Sequence, residues 1–323
     1  MISDRAAGVL MGMACGDALG APYEFGPPRP APAPVGMIGG GSFGWEPGEW
    51  TDDTQMAVVI LQAAERALAG SRTLAEELDA VARGWVDWAA GAKDVGSQTR
   101  AILCAVARSG EVSAESLLRE AAAFHAAQGR SGGNGSLMRT APIALAFLHD
   151  EVGLVSAARQ VSTLTHHEDD AGDACVLWCL AIRHAVLHAV LDVRSGLAAL
   201  PEERRDLWSA RIDDAEGRDP ATFERNGWVI EAFQAAWSAI SRTPVPHDDP
   251  AAHLAHAVEA AVRGGRDTDT VAAIAGSLLG ARWGATAIPA PWRDVVHGWP
   301  GLGVVELGER GRALVRGPVI REG

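Results

Sequence analysis

The sequence is poor in several things that would point elsewhere. It has one lysine, Lys93, and one tyrosine, Tyr23. All other basic side chains are arginine or histidine, which we read as coding bias. Lys and Arg together number 28 against 41 acidic residues, giving a net charge of −13 and a pI near 5.2. That balance argues against nonspecific nucleic-acid binding, which needs a basic surface. No apolar run reaches the roughly 18 residues of a membrane span, so no membrane association is expected. The start, Met1-Ile2-Ser3-Asp4-Arg5, lacks a signal-peptide layout. Neither a CxxC pair nor a helical two-histidine zinc motif occurs. The four cysteines, Cys15, Cys104, Cys175 and Cys179, fall in apolar stretches and read as buried free thiols of a cytoplasmic protein. No stretch alternates with period two for long enough to form a sheet.

What is present is helical. Ala-rich periodic segments read as helices over 4–20, 53–69, 72–91, 97–109, 113–128, 137–148, 151–163, 169–189, 221–241, 251–263, 269–284 and 303–316. Residues 190–219 are polar and read as surface helices or loop. The expectation is an all-α chain with one domain over 1–323. The first helix carries Gly8, Gly12, Gly16 and Gly20 on one stripe. The late helix carries Ala272, Gly276, Gly280 and Gly284 in the same spacing. Each glycine costs about 1 kcal/mol against alanine in a helix interior, so both stripes predict another backbone pressed close. Two smooth helices in one chain are natural partners for a close crossing. Asp17 lies beside the first stripe and reads as a buried acid that satisfies a neighbouring loop. Residues 26–50 are rich in Pro and Gly, without periodicity, and read as an active-site wall.

Two acidic runs stand out. Thr51-Asp52-Asp53 opens the second helix, and Asp267-Thr268-Asp269-Thr270 opens the late Gly/Ala helix. Alone, either reads as a helix N-cap with an acidic first turn. Together, as clusters of hard oxygen donors, they suit Mg²⁺ or Mn²⁺ better than zinc. If the two glycine-striped helices cross, these clusters meet. Ser131-Gly132-Gly133-Asn134 is a glycine-rich turn that could offer backbone N–H groups to an anion. It is neither a Walker loop nor a dinucleotide fingerprint. Asp94 could cap the next helix. Of His166 and His167, one could line a cavity. Trp228 and Phe233 read as core.

Five blocks, in order, carry a resemblance. They are Gly16-Asp17-Ala18-Leu19-Gly20-Ala21, Trp50-Thr51-Asp52-Asp53-Thr54, Gly133-Asn134-Gly135-Ser136-Leu137-Met138-Arg139, Leu164-Thr165-His166, and Asp267-Thr268-Asp269-Thr270. The sequence resembles the ADP-ribosylglycohydrolases, the group that includes the dinitrogenase-reductase-activating glycohydrolases and ADP-ribosylarginine hydrolases. The resemblance implies a compact orthogonal all-α bundle with two divalent cations, Mg²⁺ or Mn²⁺, in a central cleft. It implies metal ligands at Thr51, Asp52, Asp53, Asp267, Asp269 and Thr270. Gly96, Ser97, Ser131, Gly132, Gly133, Asn134 and His166 would hold ADP-ribose. Catalytic roles would fall to Asp52, Asp53, Asp94 and Glu24. The implied reaction is hydrolysis of the bond between ADP-ribose and an acceptor, with arginine on protein favoured, ADP-ribose as product, and the protein acting as a monomer. The alternatives are the same chemistry on serine, nucleic acid or a small molecule, and an inactive crystallin-like relative. Two departures are visible. Arg266 stands between Gly265 and Asp267, and Glu168-Asp169-Asp170 follows the histidines where proline is frequent.

Overall fold

The computed structural model describes residues 1–316; residues 317–323, included in the expected 1–323 domain, lie outside the described residues. Its helices are α1 (Ile2–Gly20), α2 (Asp52–Gly70), α3 (Leu78–Ala89), α4 (Ser97–Ser109), α5 (Ala114–Gln128), α6 (Ala141–Ala146) and α7 (Glu151–Thr163). They continue with α8 (Asp169–His188), α9 (Glu202–Gly217), α10 (Val229–Arg242), α11 (His253–Arg263), α12 (Thr268–Trp283), α13 (Ala290–Val295) and α14 (Val304–Arg316). The all-α expectation holds apart from a two-residue ladder, in which β1 (His297–Gly298) pairs antiparallel with β2 (Leu302–Gly303).

α1 is the axis of the core. It is buried from Ala6 to Gly20 and packs on α12 and α14, elements from the far end of the chain. The glycine stripes meet as anticipated, and over a longer stretch than a crossing requires. A Cβ on Gly8 would strike the Gly280 carbonyl, on Gly12 the Gly276 carbonyl, on Gly16 the Ala272 carbonyl, and on Gly20 the backbone of Asp269. The numbering runs in opposite directions, so the helices lie antiparallel, backbone to backbone, along their whole length. Their last contact puts the end of α1 against the start of α12, where Thr268 Oγ1 donates to the Gly20 carbonyl at 2.9 Å.

Several expectations are corrected. The helix expected over 221–241 begins only at Val229; a short 3-10 turn over Pro220–Thr222 and an irregular stretch through Asn226-Gly227 precede it. Asn-Gly is a strong turn signal, and it overrides the helical periodicity. Residues 202–217 form a helix that buries Trp208, Ile212 and Ala215. Its Arg204 and Arg211 pair with Asp170 on α8, and Trp208 Nε1 donates to Asp173 at 3.1 Å. Cys15, Cys175 and Cys179 are buried, whereas Cys104 is exposed on the outer face of α4. Trp228 is only half-buried, while Phe233 is in the core as expected.

The α1–α12 contact makes a clear prediction. Gly12→Ala should destabilise the protein by about 1–3 kcal/mol, because neither backbone can retreat from the other. Gly217→Ala, at an open helix end with no neighbouring atom, should be neutral or stabilising by up to about 1 kcal/mol. Chemical denaturation of the two variants measures both; equal stability would contradict the close backbone contact.

Candidate metal centre and substrate cleft

Three helix ends build the site. The last turn of α1 presents Asp17 to the start of α2. Asp17 accepts hydrogen bonds from the Thr51 N–H at 2.8 Å, the Thr54 N–H at 3.0 Å and the Thr54 hydroxyl at 2.6 Å. The reading of Asp17 as a buried acid satisfying a neighbouring loop is therefore realised: it caps α2 from outside that helix. Thr51 occupies the N-cap position, yet its hydroxyl does not cap. It donates instead to Asp53 Oδ2 at 3.1 Å. Thr270 Oγ1 reaches the same oxygen from α12 at 3.4 Å. The two acidic runs, over 200 residues apart in sequence, thus share one hydrogen-bonded carboxylate.

Two groups of carboxylates converge closely enough to hold cations. Asp17, Asp53 and Asp269 offer oxygens within 4.8 Å of one another, as do Glu24, Asp267 and Asp269. Asp269 belongs to both. A cavity of about 450 Å³ opens above them, lined by Glu24, Asp52, Asp94, Gly96, His166, Asp267 and Asp269 among others. Asp53 and Thr51 lie beneath this lining. No residue of the 26–50 loop borders the cavity, so that loop is not its wall. The loop braces the mouth from outside. Lys93 donates to both oxygens of Glu49, at 2.6 and 2.9 Å, and so ties the segment carrying Asp94 to it.

The donor set fits a hard divalent cation. Burial, and then the charge of neighbouring carboxylates, pushes Asp52, Asp53 and Asp269 well above the ordinary carboxylate range. The same causes raise Glu24 to about 9. Burial raises Asp17 to about 6, against the pull of its hydrogen bonds from Thr54 and Thr51. Asp267 is raised by burial and opposed by the Asn134 amide. Asp94 is also raised, chiefly by burial. Among the described residues no arginine or lysine lines the cavity. Asp53 Oδ1 and Glu24 Oε2 are buried without a hydrogen-bond partner among the described residues. Buried carboxylate oxygens left without partner or counter-charge are what an oxygen-seeking cation satisfies.

The glycine-rich turn joins this cluster through residues that the periodicity hid. Asn134 Nδ2 donates to Asp267 Oδ2 at 2.8 Å and to the Asn226 carbonyl at 2.9 Å. Asn226 in turn accepts from the Asp267 N–H at 3.2 Å and donates to the Gly265 carbonyl at 3.0 Å. Asn134 therefore holds the α12 acidic run, and its amide is already committed. Only the Asn-Gly dipeptide hinted at Asn226. Of the two histidines, His166 is buried and His167 exposed. His166 packs edge-on against the turn, and a Cβ on Gly135 would lie 3.1 Å from its ring. Burial, then the nearby Arg139, pushes its pKa well below the usual value, so it is neutral. Arg139 is itself fully buried, stacked 3.9 Å over Trp85, with Nη2 donating to Thr165 Oγ1 at 2.6 Å. Burial lowers it to about 9. Ser131 and Gly132 border a second cavity of about 820 Å³, which shares Ser97, Gln98, Gly133 and Gly227 with the first. At the mouth, Phe25 adopts a left-handed backbone with φ 62°, its N–H bonded to the Arg266 carbonyl at 2.6 Å. Arg266, the extra residue in the approach loop, is left-handed too, with φ 64°. The left-handed backbone of Phe25 was not visible in sequence.

The family profile of ADP-ribosylglycohydrolase matches residues 1–317. The chain is 29% identical over 298 residues to ADP-ribosylarginine hydrolase Tri1 of Pseudomonas putida (strain GB-1), covering 91% of this chain and 74% of that one. It is 27% identical over 296 residues to ADP-ribosyl-[dinitrogen reductase] glycohydrolase of Rhodospirillum rubrum, covering 90% of each. A solved structure described as an ADP-ribosylglycohydrolase-related protein complex matches with a TM-score of 0.73 at 29% identity, covering 98% of each chain. The chain belongs to the ADP-ribosylglycohydrolase family.

The raised carboxyl groups set a pH dependence with a definite sign. Without cations, their folded pKa values exceed their unfolded ones, so the folded state holds more protons between the two. Folding is then favoured below the unfolded values, about 4, and weakened as pH rises through about 6 for Asp17 and about 9 for Glu24. In chelator, Tm should fall between mildly acidic and mildly alkaline pH. Saturating Mn²⁺ should raise Tm more at the alkaline end, because the cation replaces the protons. Thermal denaturation in chelator and in Mn²⁺ across that range tests this; a Tm insensitive to the metal at every pH would contradict a cation site.

Proposed function

We propose that this protein is a hydrolase that removes ADP-ribose from arginine on modified protein, using two divalent cations, Mg²⁺ or Mn²⁺. The observation that carries the reading is the meeting of the α2 and α12 acidic runs under a cavity that the Gly133-Asn134 turn also lines. The relatives named as ADP-ribosylarginine hydrolases support the acceptor. Asp52, Asp53, Asp267, Asp269, Thr51 and Thr270 would hold the cations, whose role when bound is to orient the ribose hydroxyls and lower the pKa of water.

The chain's own side chains would divide the remaining work. Ser131, Gly132 and Gly133 offer main-chain N–H groups and a close approach to the diphosphate. Gly96, Ser97 and His166 would shape the same pocket, with neutral His166 adding no charge. Asn134 acts through Asp267, holding it in place. In the reaction, the bond from the anomeric carbon to the guanidine nitrogen breaks and a bond to water oxygen forms, through an oxocarbenium-like transition state. Asp52 borders the cavity and is suited to orient the water, with Asp53 fixed beneath it. Glu24 and Asp94 line the same cavity and are suited to take the water proton and return one to the departing nitrogen. They would also attract a guanidinium in a fork geometry, with the Phe25 ring as a face for the cation.

The test pairs a variant with a substrate panel. Asp267→Asn combined with Asp269→Asn should lower Mn²⁺-dependent ADP-ribose release by about a hundredfold or more while the helical fold remains. Mass spectrometry of arginine-, serine- and nucleic-acid-linked ADP-ribose after treatment should show release from arginine. Undiminished activity in the double variant would sink the metal assignment, and release from serine or nucleic acid alone would sink the acceptor.

A further inference from the structure

The turn that offers its N–H groups to a diphosphate already holds a carboxylate. Glu168, the residue before α8, reaches across to it, and its Oε1 accepts a hydrogen bond from the Ser131 N–H. Its Oε2 lies against Gly132, where an added Cβ would collide with it. The Trp228 indole nitrogen closes the other side, 3.2 Å from the same point. A carboxylate on the main-chain N–H of a glycine turn occupies the place of a phosphate oxygen. The next two N–H groups, of Gly132 and Gly133, donate to no protein acceptor among the described residues.

Glu168 has no direct counter-charge among the described residues, although Arg130 and Arg225 border the same cavity. Asp170 and Asp173, on the same helix start, are paired with Arg204, Arg211 and Arg159. Glu168 makes no ion pair among the described residues. Around it, His125 Nδ1 is engaged with Ser131 Oγ at 2.9 Å, and Arg225 is engaged with Glu231. Glu168 is half-buried and borders the cavity of about 820 Å³, so it has room to withdraw.

We propose that Glu168 is a built-in competitor for the diphosphate. It holds the Ser131 N–H while the cleft is free and must withdraw when ADP-ribose enters. Its charge thereby weakens the binding of substrate and product alike and speeds product release, a step that often limits turnover. The inference rests on the assignment of the Ser131–Gly133 turn to the diphosphate. It makes Glu168 an affinity-determining residue rather than a catalytic one.

Titration calorimetry with ADP-ribose tests it, with adenosine as the phosphate-free probe. Glu168→Gln keeps the shape and removes the charge; Glu168→Ala removes both. Each should bind ADP-ribose about tenfold more tightly, equivalent to about 1.4 kcal/mol, with no gain for adenosine. In steady state, KM should fall and inhibition by ADP-ribose should strengthen by a similar factor. If Glu168 were only a structural strap, both variants would bind ADP-ribose more weakly and melt lower, and the proposal would be overturned. An equal gain for adenosine would overturn it too. Should Glu168→Ala fail to fold, Glu168→Gln decides alone. Wild-type binding of ADP-ribose that neither variant improves defeats this inference only; no binding by any form defeats the functional reading together with it.

Discussion

The backbone contact between α1 and α12 is the constraint from which the rest follows. Carbonyls of one helix rest on the Cα atoms of the other at Gly8, Gly12, Gly16, Gly276 and Gly280. Such proximity fixes how far α1 can slide along α12, because no flexible side chain lies between them. The end of α1 therefore sits at a set distance from the start of α12. Asp17, on that same final turn, fixes the start of α2 through three hydrogen bonds. One helix end thus positions both acidic runs.

The electrostatics of the cleft are arranged against folding unless something positive enters it. Seven carboxyl groups, from Asp17, Glu24, Asp52, Asp53, Asp94, Asp267 and Asp269, have raised pKa values in one small region. The N-termini of α2 and α12 both point their positive dipole ends at this region, which eases the repulsion without abolishing it. Arg139, buried beside Trp85, makes no ion pair with these carboxylates among the described residues, though it feels the charge of Asp52. The Asn134–Asn226 pair adds neutral hydrogen bonds that order Asp267 without altering the charge count. A site so organised is a ready receptor for hard cations, and the cleft behind it is shaped by glycine turns rather than by bulk.

Much of this was legible in the sequence because it is written in local repeats. A four-residue glycine spacing announces close backbone packing whatever the partner, and the partner was the other striped helix. Hard oxygen clusters at helix starts likewise announced the convergence of carboxylates that could hold a cation. What escaped was information that exists only between distant segments. Asn226 gains its role from where Asp267 and Asn134 happen to lie, and its neighbours read as helix. The Thr51 hydroxyl was expected as a cap, yet Asp17 takes that task because it arrives from another helix. Cys104 lies in an apolar-looking stretch whose outer face is exposed. The 26–50 loop ends at the acidic run, and sequence proximity was mistaken for lining; it supports the mouth through Glu49 and Lys93 instead.

The pairing of α1 with α12 and α14 has a consequence for how the molecule comes into being. α1 has its principal partner about 250 residues further along, so its smooth apolar face stays uncovered until α12 has emerged. Contacts of such separation are costly to close and form late. Until α12 is made, Asp17 and the α2 start lack Asp269, and the acidic cluster is incomplete. Assembly of the acidic cluster is thereby tied to the synthesis of α12, which carries Asp269.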